Sequence, residues 1–141
     1  MKFNSLVPEL YVTDFNKSLN FYTKILGFAL EYERKNPLFA FLSYNGAQLM
    51  IQALVSDEKE EMKLEYPFGR GINFQIDTPN ILTLIKSLEE HRYPLTRGIK
   101  ESWRNIGKKN KEHGSREILL NDPDGYLLRF SEDLGERNAK N

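Results

Sequence analysis

The order of elements in this chain occurs twice. "VPELYVTD" alternates as a strand does, and Asp14 is placed to cap the helix "FNKSLNFYTKILGF". Leu19, Phe21 or Tyr22, Ile25 and Leu26 recur there at helical spacing, and Gly27 supplies the stop. "ALEYERK" follows as a strand, and "LFAFLSYNGAQLMIQ" folds back around Asn45-Gly46, a dipeptide suited to a two-residue hairpin. After the acidic stretch "VSDEKEEMKLEYP", read as a solvated linker or short helix, the order returns. "GINFQID" is a strand, Asp77 or Thr78 caps, Pro79 suits the first helical turn, and "NILTLIKSLEEH" is the helix. A short extended piece, "YPLTRG", leads into a long polar loop, and "REILLNDPDGYLLRFS" closes as a hairpin. Asp14 matches Asp77, and Asn45-Gly46 matches Asp124-Gly125. Internal similarity of this length predicts two copies of a βαβββ unit.

The faces follow from the two-residue period of strands. If Asn45-Gly46 is the whole loop, Phe41 pairs with Met50, Phe39 with Gln52 and Ser43 with Gln48. Ala40, Leu42, Ala47, Leu49 and Ile51 then form the other face. Pro8, Leu10 and Val12 oppose Val7, Glu9 and Tyr11. Ile72, Phe74 and Ile76 oppose Asn73 and Gln75, and Leu128 and Phe130 oppose Leu127, Arg129 and Ser131. One face is almost wholly apolar and is expected to pack on the helices. Its opposite mixes amides, Glu9, Tyr11, Met50 and Arg129 with two phenylalanines, a composition suited to a partly dry concave surface with polar anchors.

The fold expected is therefore α+β, with two βαβββ modules forming curved mixed sheets around a cavity and the helices on the outer face. The 141 residues are the size of one domain, divided into module one at 5–53, a linker at 54–68 and module two at 69–133.

Twenty basic and twenty acidic residues cancel, which removes the electrostatic reason to expect nucleic acid or an anionic membrane as partner. No apolar run suggests a signal peptide or a membrane span, so the expected location is the cytoplasm. Cysteine is absent, excluding disulfides, thiolate metal sites and a cysteine nucleophile. Of the two histidines, His91 ends the second helix and His113 falls in the charged run "GKKNKEHG"; both are expected to be solvated.

In order and spacing, "VPELYVTDFNKSLNFYTKILGF", "FAFLSYNGAQLMI", "GRGINFQID" and "SREILLNDPDGYLLRFSEDLG" resemble the vicinal oxygen chelate superfamily. That superfamily includes glyoxalase I, extradiol dioxygenases, fosfomycin-resistance proteins and bleomycin-resistance proteins. The resemblance covers about the whole chain and implies a cavity usually completed by dimerisation. Metal-dependent members place His, Glu or Gln on the first strand of each module and Glu on each last strand. Carried across by spacing, those positions are Val7, Met50, Gly71 (or Ile72) and Arg129, none of which is a usual ligand. Arg129 would repel a cation. The resemblance thus points to the metal-free, bleomycin-resistance-like branch, whose members sequester a drug without transforming it.

The expected function is capture of a small amphipathic ligand or antibiotic in a dimer-interface cleft, without cofactor, metal or catalytic residues. Its expected partners are that ligand, a bleomycin-type antibiotic among the candidates, and a second copy of the chain. The candidate contacts are Glu9, Tyr11, Phe39, Phe41, Gln48, Met50, Gln52, Asn73, Gln75, Trp103 and Arg129, with Trp103 and the phenylalanines offering flat surfaces for stacking. Arg129 opposes a cationic ligand and favours an anionic or carbonyl-bearing one; its alternative role is an ion pair, with Glu9 as candidate partner. The rival functions are a metal-dependent lyase or oxidoreductase of the glyoxalase or dioxygenase kind, a metal-free enzyme with Glu9 as base and Arg129 as clamp, and a scaffold with an empty, shallow cavity.

Overall fold

The computed structural model describes residues 1–140. It contains two four-stranded sheets with the same plan. In the first, β1 (Glu9–Val12), β2 (Ala29–Lys35), β3 (Leu38–Tyr44) and β4 (Ala47–Ala53) lie in the order β1-β4-β3-β2. In the second, β5 (Asn73–Asp77), β6 (Arg97–Arg104), β7 (Lys111–Asn121) and β8 (Leu127–Asn138) lie in the order β5-β8-β7-β6. Each module pairs its first strand with its last in parallel and its other strands antiparallel, as a βαβββ unit requires. The fold is α+β. The chain forms two compact units, residues 1–72 with 121–126, and residues 73–120 with 127–140. The turn of the second repeat thus belongs to the first unit.

In the first unit, α1 (Phe15–Asn20) starts at Asp14, whose carboxylate accepts the Lys17 N–H at 3.1 Å. The expected single helix changes to a π-helical turn over Phe21–Ile25, with Leu26 N donating to Phe21 O at 3.0 Å. One residue more per turn rotates the segment, and Phe21 and Tyr22 are both fully buried there. Leu10, Val12, Phe28, Leu42, Leu49 and Ile51 are buried as well, each side chain contributing about 1.5–3 kcal/mol by leaving water. The β3–β4 ladder pairs Phe39 with Gln52, Phe41 with Met50 and Ser43 with Gln48, the register expected from the Asn45-Gly46 turn. The acidic linker holds one short helix, α2 (Glu58–Glu61).

In the second unit, α3 (Ile81–Glu90) packs against β8, with Ile81, Leu84 and Leu88 buried alongside Ile118, Leu120, Leu128 and Phe130. Its cap is Asn80, not Asp77 or Thr78: the Asn80 Oδ1 accepts from Leu82 N and Thr83 N. Pro79 precedes the cap, so the helix opens later than proline placement suggested, and Asp77 ends β5. The expected polar loop before "REILLN" is largely a ladder. Ser102 opposes Ser115, Trp103 opposes Gly114 and Arg104 opposes His113. Polar residues run through β6 because neither of its faces is fully buried.

Candidate functional site

Buried Ile118, Leu120, Leu128 and Phe130 assign one face of the second sheet to α3. The intervening residues assign the other. Gln75 and Asp77 of β5, Ser131 and Asp133 of β8, His113, Ser115 and Glu117 of β7, and Arg104 and Ile106 line a trough of about 400 Å³. All four strands contribute, so the ladder spacing itself sets the distances between the polar groups. The Nε2 of His113 lies 2.9 Å from Asp133 Oδ1, which also accepts the Gly135 N–H at 2.6 Å. Glu117 accepts the Ser115 hydroxyl at 3.3 Å and faces Arg129 Nη1 at 3.6 Å. The walls thus alternate charge with hydroxyl and amide, and Ile106 adds an apolar edge. Such a surface can orient a small molecule through several hydrogen bonds.

The expected site residues divide between the sheets. Gln75 lines the trough. Asn73 precedes it on β5 and is exposed, and Arg129 opposes Gln75 in the ladder. The ion-pair partner of Arg129 is Glu117, where Glu9 was the candidate. Trp103 stands on the opposite face: it opposes buried Gly114, next to the helix-facing Arg116 and Ile118, and the Arg137 guanidinium stacks 4.0 Å above its ring.

Glu9, Tyr11, Phe39, Phe41, Gln48, Met50 and Gln52 all belong to the first sheet. Phe39 and Phe41 are 1% and 2% exposed, since Tyr32 stacks on Phe41 at 5.2 Å, Phe3 meets it edge-on at 5.3 Å and Arg34 covers Phe39 at 3.9 Å. Gln48 holds the N-terminal segment, accepting Asn4 N at 2.7 Å and donating to Lys2 O at 2.7 Å. Met50 and Gln52 are half-buried beside exposed Glu9 and half-buried Tyr11.

Apart from Gln75, the trough residues were not among the expected contacts: Asp77, Arg104, Ile106, His113, Ser115, Glu117, Ser131 and Asp133. His113 was expected in a solvated loop, yet it sits on β7 against Asp133. The alternation in "KEHGSREILL" was the available signal. His113, Ser115 and Glu117 keep the parity opposite to Ile118 and Leu120.

A buried, perturbed carboxyl lies elsewhere. Asp122, in the first unit, is 2% exposed, and burial pushes it up to about 6. Its Oδ2 accepts the Tyr22 hydroxyl at 2.6 Å, and its Oδ1 accepts the N–H groups of Asp124 and Tyr126 at 2.9 Å each. Asp124 in turn accepts Thr13 N and Oγ1 at 3.0 and 2.6 Å, and the Tyr126 hydroxyl donates to Tyr11 O at 2.8 Å. Both Asp122 oxygens are engaged inside protein, which makes this cluster a structural latch.

A family model described as the Glyoxalase/Bleomycin resistance protein/Dioxygenase superfamily matches residues 2–130. The chain belongs to that superfamily. A superfamily member from Vibrio splendidus is 31% identical, over 90% of this chain and 97% of its own, with a TM-score of 0.41. A virulence protein from Salmonella typhimurium is 20% identical over 94% and 98%, with a TM-score of 0.62. The fosfomycin resistance protein FosX from Listeria monocytogenes is 21% identical over 96% and 94%, with a TM-score of 0.59. The last two likenesses are of fold. No curated protein matches.

The metal positions of this superfamily can now be placed by register. Val7 and Gly71 precede β1 and β5, so the first-strand residues opposite Met50 and Arg129 are Glu9 and Gln75. Glu9 has an oxygen donor but stands beside a thioether, and Gln75 stands beside a guanidinium. Among the described residues no three His, Cys, Asp or Glu side chains gather as a metal would require. The donor set does not fit a catalytic divalent ion. No helix is long and apolar enough to cross a membrane.

Proposed function

We propose that this superfamily member is a metal-independent binding protein that captures a small amphipathic molecule, an antibiotic among the candidates, in the trough of its second sheet. The observation that carries the reading is the chemistry of that face. A fixed cation, Arg129, occupies the last-strand position where a metal-dependent relative needs a carboxylate, and it is matched to Glu117. Around it, His113–Asp133 and the Ser115 and Ser131 hydroxyls form a recognition surface with no chelating cluster. Holding a guest by shape and hydrogen bonds needs no group that changes covalently. The homodimer expected from the family supplies a second copy of the surface, and its presence is part of the proposal.

Equilibrium dialysis against a panel of small antibiotics, bleomycin-type drugs included, tests the reading in the presence and absence of chelator. Saturable binding that chelator leaves unchanged, and that Ser115→Leu weakens by filling the trough, is the expected result. Failure of the bleomycin-type drugs alone removes only that ligand. A transition metal retained at one per chain, with binding lost on its removal, overturns the proposal.

A further inference from the structure

Arg97 opposes Leu119 in the β6–β7 ladder, and paired residues share a face. Leu119 lies between buried Ile118 and Leu120, so it stands on the side of Ser115 and Glu117, both of which line the trough. Gln75, also in the trough, opposes Arg129, which faces Glu117. Arg97 and Arg129 therefore share the trough side of the sheet, on strands either side of β7.

The Nε and Nη2 of Arg97 are both buried, and neither meets an acceptor among the described residues. These two N–H groups form one edge of the planar guanidinium, the edge that receives two oxygens of a carboxylate or phosphoryl group side by side. A single unmatched buried donor is unfavourable, and a whole charged edge left unmatched is uncommon. Arg129 Nε is in the same condition. Arg116 Nε is too, but Arg116 lies on the helix side with Nη2 committed to Glu132 at 2.6 Å. The charges on the trough side agree: Arg97, Lys100, Arg104 and Arg129 stand against Asp77, Glu117 and Asp133.

We infer that Arg97 and Arg129 form an oxyanion subsite beside the trough, and that the captured molecule carries a carboxylate or phosphoryl group. The inference rests on the small-molecule reading above and narrows its ligand. Arg97 as a residue is half-buried, while its Nε–Nη2 edge is out of contact with solvent. Binding at this subsite requires the guanidinium to turn toward the trough, exchanging an unmatched edge for a paired one. A purely cationic guest leaves that edge unmatched.

Benzoate, phenyl phosphate and benzamide share a ring and differ in charge, and calorimetric titration of each at low salt tests the subsite. One of the two anions is expected to bind about tenfold or more tightly than benzamide, and whichever it is identifies the group. Arg97→Met should abolish the preference, leaving the anions no tighter than benzamide. Arg97→Lys, which keeps the charge without the fork, should retain part of it and serves if the methionine variant fails to fold. Equal affinities, or a preference that neither substitution reduces, overturn the subsite. If benzamide binds without preference for the anions, the subsite falls and the binding function stands. If neither these probes nor the drug panel binds, both fall. If Arg97→Met weakens self-association in sedimentation and leaves ligand preference intact, Arg97 serves an interface and the subsite is overturned.

Discussion

The Tyr22 hydroxyl donates to Oδ2 of Asp122 at 2.6 Å, although 100 residues separate the two in the chain. Tyr22 comes from the π-helical turn of the first repeat and Asp122 from the hairpin turn of the second, and both side chains are buried. A carboxylate taken out of water needs donors, and this one has three. The relationship ties the end of the second repeat into the first unit, and it can be tested directly.

Tyr22→Phe deletes the donor without leaving a cavity. It should cost about 1–3 kcal/mol, because the Asp122 oxygen loses its partner while remaining buried. Urea unfolding at neutral pH measures the cost. A variant as stable as the parent would mean that the hydroxyl contributes nothing to holding the turn.

The proton affinity of Asp122 gives a pH dependence of defined sign. Burial raises its carboxyl from 3.8 to about 6, so between those values the folded chain holds a proton that the unfolded chain has released. The stability contributed by this group is complete at pH below 3.8, declines as pH rises toward about 6, and is then lost. At about 1.4 kcal/mol per unit the span is roughly 3 kcal/mol. Glu132, held low first by the Ile81 N–H and then by Arg116, acts in the opposite sense: its contribution is lost as pH falls below the ordinary glutamate range. Denaturant titrations across this range should show the decline in the parent and a flatter profile in Asp122→Asn. Parallel profiles would assign the slope to other groups.

Gly114 lies directly under Trp103. A Cβ built there would approach the indole to 2.6 Å, and the Arg137 guanidinium stands over the ring at 4.0 Å. Gly114→Ala should therefore displace the ring, at about 1–3 kcal/mol. Trp103 is the only tryptophan, so its emission should shift red as the ring gains water. An unchanged spectrum with unchanged stability would show that the indole has room to move.

Removing divalent ions should leave the protein as it was. The residues opposite each other in the parallel ladders, Glu9 with Met50 and Gln75 with Arg129, offer one good donor per pair. Dialysis against chelator is expected to leave the unfolding temperature unchanged, and added zinc or manganese to leave it unchanged as well. A rise on adding either ion would reveal a site built from residues outside these ladders.

Much of the fold was legible because strand and hairpin rules act over a few residues. Asn45-Gly46 determined the β3–β4 register, and the parity of Ala40, Leu42, Leu49 and Ile51 identified the core face. The candidate site was less legible. Phe39 and Phe41 stand on the polar face as expected, but Tyr32, Phe3 and Arg34 cover them. Parity assigns a side chain to a face and says nothing of what lies above it. His113 and Trp103 were misplaced for a related reason: a charged, glycine-containing segment reads as a loop until its partner strand is known.

The sequence by itself determined the two βαβββ repeats, the superfamily and the absence of ligands at the last-strand positions, because periodicity, turn chemistry and side-chain type are properties of neighbouring residues. Only tertiary structure decided that Arg129 pairs with Glu117, that Tyr22 holds Asp122, and that Arg97 presents an unmatched edge. Each of those depends on residues brought together by strand order and burial, and the energy of a buried charge is set by its surroundings in space, not by its neighbours in the chain.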